Sequence, residues 1–129
     1  MDSAGLRHLI AAGETLRVEF KRADAGQLND RQIVEAVACL ANGAGGHLIL
    51  GVDDEGHVRG AAPRHGSATD PLRLASLVLN STDPPVAVSA DVLTMDERDV
   101  IVITVPAMTA GPVGTKDGVY RRRSIRMDG

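Results

Sequence analysis

The sequence predicts a single α+β domain: a mixed, mostly antiparallel sheet with helices packed on it and one β-α-β crossover. Three observations carry that expectation. Apolar residues recur at helical spacing in three separate stretches. Short apolar or β-branched runs lie between them, bounded by Gly, Pro and acidic turn formers. The predicted order is α-β-α-β-β-α-β-β-β, in which hairpin connections dominate. The one crossover runs from the first strand through an alanine-rich helix to a central strand. The chain has 129 residues, 43% of them hydrophobic, enough for one core.

Residues 3–12 read as a helix. Ser3 is the candidate cap, Leu6, Leu9 and Ile10 share a face, and Gly13 ends the segment. Residues 16–21 alternate, with Leu16, Val18 and Phe20 on one side and Arg17, Glu19 and Lys21 on the other. That pattern predicts a half-buried strand. Residues 22–28 are a polar loop. Asn29 or Asp30 caps the next helix, residues 31–41, whose stripe is Ile33, Val37 and Leu40.

Gly43, Gly45 and Gly46 then break the helical pattern, because each can take φ > 0 without Cβ strain. A buried strand follows over residues 47–53, and the acidic turn Asp53-Asp54-Glu55-Gly56 leads to a short return strand, residues 57–60. Thr69 or Asp70 before Pro71 is a helix start, and this helix runs to about residue 80. Residues 86–93 alternate imperfectly and residues 95–99 form a turn. Residues 100–105 are the most β-branched run in the chain. Pro106 ends it, residues 107–116 are a loop, and residues 118–127 form a last strand or hairpin.

Composition excludes several functions. With one Phe, one Tyr and no Trp, base-stacking platforms are missing. A formal net charge of -3 confines any polyanion contact to a local basic patch. The lone Cys39 excludes an internal disulfide and a cysteine zinc site, and its helical setting reads as a small packed thiol. His8, His47, His57 and His65 have no metal-ligand spacing. No apolar run is long enough to span a bilayer and no signal peptide is evident, so a cytoplasmic protein without a membrane partner is expected. The last residues form no obvious finishing element, as in the N-terminal part of a longer regulator.

Three constellations could carry chemistry. Gly43-Ala44-Gly45-Gly46 looks like a phosphate cradle, but cradles follow a strand and open a helix, and here the order is reversed. It reads as a helix stop and bend. Glu14 and Glu19 flank the first strand and Asp53 ends the central one. Adjacent strands would bring these carboxylates together, a set suited to Mg²⁺ or Mn²⁺ and phosphodiester cleavage. From spacing alone they read more simply as loop, strand-face and turn residues. Lys21 and Arg22 close the first strand, while Arg121, Arg122, Arg123 and Arg126 make the end of an acidic chain locally basic. Guanidinium forks suit phosphates, and a charged edge strand has the same composition.

Three segments, in order, resemble the Schlafen-type AlbA_2 family, a DNA-binding domain common at the N-terminus of bacterial and archaeal transcriptional regulators. They are Gly13-Glu14-Thr15-Leu16-Arg17-Val18-Glu19-Phe20-Lys21, then Ala38-Cys39-Leu40-Ala41-Asn42-Gly43-Ala44-Gly45-Gly46, then Leu48-Ile49-Leu50-Gly51-Val52-Asp53-Asp54-Glu55-Gly56. Gly60, Pro84, residues 102–106 and Gly118-Val119-Tyr120-Arg121 fit the family's later parts. The resemblance implies a compact nucleic-acid-binding domain, often dimeric; DNA rather than RNA is the expected partner, and no motif calls for a cofactor.

In vertebrate Schlafen relatives a carboxylate trio serves metal-dependent RNA cleavage. By motif position that trio falls on Glu14, Glu19 and Asp53, which gives a Mg- or Mn-dependent endoribonuclease as the alternative. A homodimerisation module is a third reading. Two departures stand out: Leu40 replaces the usual aromatic, and Arg122-Arg123 replaces a more common Val-Gly pair.

Overall fold

The structure is a computed structural model that describes residues 1–26 and 28–116. It has three helices, α1 (Ser3–Ala12), α2 (Asp30–Asn42) and α3 (Pro71–Ser81), among the described residues. The strands there are β1 (Val18–Lys21), β2 (Gly46–Leu50), β3 (Thr82–Asp83), β4 (Ser89–Met95), β5 (Arg98–Val105) and β6 (Gly114–Thr115). The main sheet has the order β1-β2-β5-β4. β1 and β2 are parallel across the α2 crossover, and the other two pairings are antiparallel. The fold is therefore the expected α+β arrangement.

Alternation along β2 shows why both faces of the sheet are covered. Leu48 and Leu50 point to one side, where they meet Ile33, Val37 and Leu40 of α2 and Leu74 and Val78 of α3. Ile49 points to the other side, and Val52, past Gly51 with its φ of 110°, joins it there with Val18, Phe20, Val100, Val102 and Leu6 of α1. Two aliphatic cores thus sandwich the sheet, which is why β5 reads as a continuous β-branched run rather than an alternating one.

Helix ends follow local chemistry. α2 starts with a full capping box, in which the Asn29 side chain accepts from the Gln32 N–H and the Gln32 side chain accepts from the Asn29 N–H. α3 has Asp70 as cap and Pro71 in its first turn, as predicted. α1 is capped by Asp2 rather than Ser3: the Asp2 carboxylate reaches the Gly5 N–H at 2.8 Å.

Other boundaries differ from expectation for identifiable reasons. The strand expected over residues 86–93 begins only at Ser89. The Val86 N–H donates to Thr82 Oγ1 at 2.9 Å, and that hydroxyl donates to the Val78 carbonyl, so this stretch is held in a turn. The turn expected at residues 95–99 shrinks to Asp96 and Glu97, both at positive φ, and Met95 pairs with Arg98. The expected return strand after the acidic turn is a single bridge, Val52 to Val58. Within the expected loop 107–116, Gly114 and Thr115 pair with Asp83 and Thr82 as a second, two-stranded sheet. The last expected strand, residues 118–127, lies outside the described residues.

Besides the β3–β6 pairing, one side chain helps to tie down the chain after β5. Asn42 Nδ2 donates to the Val113 carbonyl at 2.8 Å, and the Val113 N–H donates to Asn42 Oδ1 at 2.6 Å. Replacing Asn42 by Ala strands both backbone groups in a half-buried place. A loss of about 1–3 kcal/mol in denaturant unfolding is expected, and an unchanged midpoint would show that the clamp contributes nothing.

Candidate nucleic-acid interface

β1 and β2 run parallel and end side by side, and the acidic turn follows directly after β2. Beyond their C-terminal ends lies a groove of about 460 Å³ lined by Phe20, Lys21, Arg22, Asp53, Asp54, Glu55 and Arg59. The structure therefore brings Lys21, Arg22 and Asp53 together, three residues that the sequence singles out separately.

Asp53 is the hub of this end. Its Oδ1 accepts from the N–H groups of His57 (2.9 Å) and Glu55 (3.0 Å), and its Oδ2 accepts from Arg59 Nε (2.9 Å). The His57 ring lies 3.5 Å from Oδ2. The side chain is only 12% exposed. The His57 N–H bond is the largest cause holding the carboxyl down at about 2, with Arg59 and the Glu55 N–H assisting and burial opposing. The turn thus forms around a carboxylate that stays ionised.

The cations are held in place by acids. Arg22 grips Asp24 with two bonds, Nε at 3.2 Å and Nη2 at 2.9 Å. That fork is the main reason the Asp24 carboxyl lies below its ordinary value. Lys21 Nζ is 3.4 Å from Glu19. Arg59 engages Asp53 through Nε only, and a guanidinium has four further N–H donors with which to meet an anion. Sequence reasoning passed over Arg59. The signal was present: a tight turn after Asp53 brings a residue six positions on back beside it.

The other two carboxylates of that predicted trio have other partners. Glu14 is exposed and its Oε1 accepts from the Phe20 N–H at 2.9 Å, which holds the approach to β1. Glu19 is half-buried beside Lys21. Among the described residues, no group of three or more His, Cys, Asp or Glu side chains is arranged to hold a metal ion. Glu14, Glu19 and Asp53 are thus engaged with three different partners. His47, half-buried in β2, has its ring nitrogen 3.3 Å from Thr104 Oγ1. Burial, then the nearby Arg17 charge, disfavours its protonated form. Arg121, Arg122, Arg123 and Arg126 lie outside the described residues.

The glycine bend is a junction of three backbones. Gly43 caps α2 at an ordinary φ of -92°, and its N–H and that of Gly45 both donate to the Leu40 carbonyl. Only Gly45 and Gly46 take positive φ, 73° and 139°. At Gly46 the chain presses against Arg17, and the next residue, His47, donates its N–H to the Arg17 carbonyl at 2.8 Å. No cradle of helix N-terminal amides is formed there, so the phosphate-loop likeness of the sequence is not realised.

A parallel β-α-β pair extended by an antiparallel hairpin, with helices on both faces and a charged groove at the parallel strand ends, defines a small mixed α+β domain. Residues 14–127 match the family described as Schlafen, AlbA_2, and the chain belongs to that family. Two solved structures share the fold. The DIP2311 protein of Corynebacterium diphtheriae aligns with a TM-score of 0.68 at 23% identity, covering 94% of this chain and 24% of that one. This chain therefore spans about a quarter of that protein. The N-terminal domain of an ATP-dependent DNA helicase RecG-related protein from Nitrosomonas europaea aligns with a TM-score of 0.57 at 24% identity, covering 94% of this chain and 87% of that one. At these identities both likenesses bear on the fold alone. No curated protein sequence matches the chain. No helix among the described residues is long and apolar enough to cross a membrane.

Proposed function

We propose that the chain is a nucleic-acid-binding module, with duplex DNA as its ligand, belonging to a transcriptional regulator. The observation that carries this reading is the convergence of Lys21, Arg22 and Arg59 in one groove at the ends of the parallel strands. The two guanidinium forks and the lysine ammonium are pre-set by carboxylates, which lowers the entropy lost when a phosphate is gripped. Membership of the AlbA_2 family supports the same reading. The basic run Arg121, Arg122, Arg123 and Arg126 would add phosphate contacts in the same way. Because Asp53, Asp54 and Glu55 share the groove, affinity comes from a few placed contacts rather than from bulk charge, and little base readout is expected from this domain alone.

Fluorescence anisotropy with short DNA duplexes at about 50 and 200 mM salt tests this. The wild type should lose affinity steeply as salt rises. Changing Lys21 and Arg22 to Ala should lower the salt slope by about 2 and weaken all sequences alike. Binding that is absent, or insensitive to salt, overturns the reading. The same preparation, incubated with structured RNA and Mg²⁺ or Mn²⁺, addresses the nuclease alternative. Metal-dependent cleavage lost in Glu19→Ala would replace binding by catalysis through Glu14, Glu19 and Asp53.

A further inference from the structure

The groove does not end at Arg59. That side chain also lines a second hollow of about 380 Å³, together with Asp24, Glu97, Arg98 and Asp99. Sheet topology places the two hollows side by side. β5 runs antiparallel to β2, with Leu50 opposite Ile101, so its first residue, Arg98, stands at the sheet end where β1 and β2 finish. In the order β1-β2-β5, Lys21 and Arg22 close β1, Arg59 follows the turn after β2, and Arg98 opens β5. Adjacent strands are about 4.8 Å apart, so this row of cations spans roughly 10 Å, about three phosphate steps along one DNA strand.

Arg98 is held differently from the other cations. Lys21, Arg22 and Arg59 each face a carboxylate. Arg98 Nη1 donates instead to the Val58 carbonyl at 3.0 Å, and among the described residues no carboxylate pairs with it. Its stem lies over Gly60, where an added Cβ would come within 3.2 Å of Arg98 Cβ. The Arg59 and Gly60 N–H groups in turn both donate to the Gly51 carbonyl, at 2.7 and 3.0 Å. Residues 58–60 are thus a common anchor, which fixes Arg98 relative to Arg59. Arg98 is exposed, and its guanidinium keeps four further N–H donors.

We propose that Arg98 carries the nucleic-acid groove on into this second hollow, where it grips a further phosphate of the same DNA strand. This extension rests on the reading of the first groove as a DNA contact. Asp24 is already engaged by Arg22. Glu97 and Asp99 are exposed carboxylates of the same hollow and oppose the phosphate, so the contact depends on one placed fork rather than on bulk charge. A residue that only braced segment 58–60 would need a donor for the Val58 carbonyl but no charge, and that difference can be measured.

Anisotropy titrations of the full chain with DNA duplexes, between about 50 and 200 mM salt, test it. Arg98→Gln keeps a donor for the Val58 carbonyl and removes the charge. Its salt slope should fall by about 1, alike for every duplex sequence, and Arg98→Lys should recover the wild-type slope. Glu97→Gln, at an exposed turn position, should tighten binding about 3-fold at the lower salt. An affinity loss in Arg98→Gln at unchanged slope would make Arg98 a brace for Arg59 alone and overturn the proposal. Wild-type binding by both Arg98→Gln and Glu97→Gln, with the Lys21 and Arg22 change still lowering the slope, would also overturn it while leaving the first groove as the DNA contact. A wild type that binds no duplex overturns both readings together.

Discussion

Gly46→Ala should cost about 3–5 kcal/mol of stability, combining the strain of a left-handed φ with overpacking against backbone. The φ there is 139°, and a Cβ would sit 1.9 Å from the Arg17 carbonyl oxygen and 2.6 Å from its carbon. Neither atom belongs to a side chain that could swing away. Relief requires β1 to move off β2, which opens the parallel pairing that sets the groove. Gly43→Ala is the internal control. Its backbone, at φ -92° and ψ -130°, is neither helical nor extended, but the nearest atom to a new Cβ is the Leu40 carbonyl oxygen at 3.5 Å and no strand has to move, so it should lose clearly less than Gly46→Ala. Denaturant unfolding of the two variants side by side checks both. Equal midpoints would show that the junction is not tight.

Asp53→Asn should flatten the acid limb of the stability profile. The folded carboxyl sits at about 2, below its ordinary value of 3.8. A depressed folded value means that the stabilisation is fully present above pH 4 or so, and is lost as pH falls through that window towards 2. The wild type should therefore lose more stability between pH 5 and pH 2 than the variant, which has no proton to gain at this position. The Asp24 carboxyl is lowered too, by the Arg22 fork, so the difference between the two proteins isolates Asp53. At neutral pH the variant should also be weaker, because the amide cannot accept from Arg59 and from both turn N–H groups equally well. Parallel acid limbs would sink this account of the turn. The same variant in the DNA assay should alter how Arg59 is held, with Lys21 and Arg22 in place.

Much of the fold was legible because its signals are local. Asn29 with Gln32 three residues on, and Asp70 before Pro71, encode helix starts within a few positions. The bounds of α1 followed from periodicity and Gly13 alone, and only its cap moved by one residue. The order of motifs also identified the family, and the order of the expected elements pointed to the α+β class with its one parallel pair.

What failed was decided by distant partners. Residues 86–88 look like strand, yet the Thr82 hydroxyl takes the Val86 N–H before a neighbour can. Gly114 and Thr115 look like loop and pair because Thr82 and Asp83 are there to receive them. At the groove, the sequence supplied Lys21, Arg22 and Asp53 as separate suggestions. The β1–β2 register joined them, and Arg59, the cation that holds Asp53, went unnoticed until the turn closed around it.

The sequence by itself therefore determined the helices, the aliphatic strands, the bend between α2 and β2, and the family. Each is encoded in residues that are neighbours along the chain or one helical turn apart. Only the tertiary structure decided which carboxylate serves which partner and which of the three glycines presses hardest on another backbone. Those outcomes depend on strand register, and register is set by burial on both faces of the sheet at once.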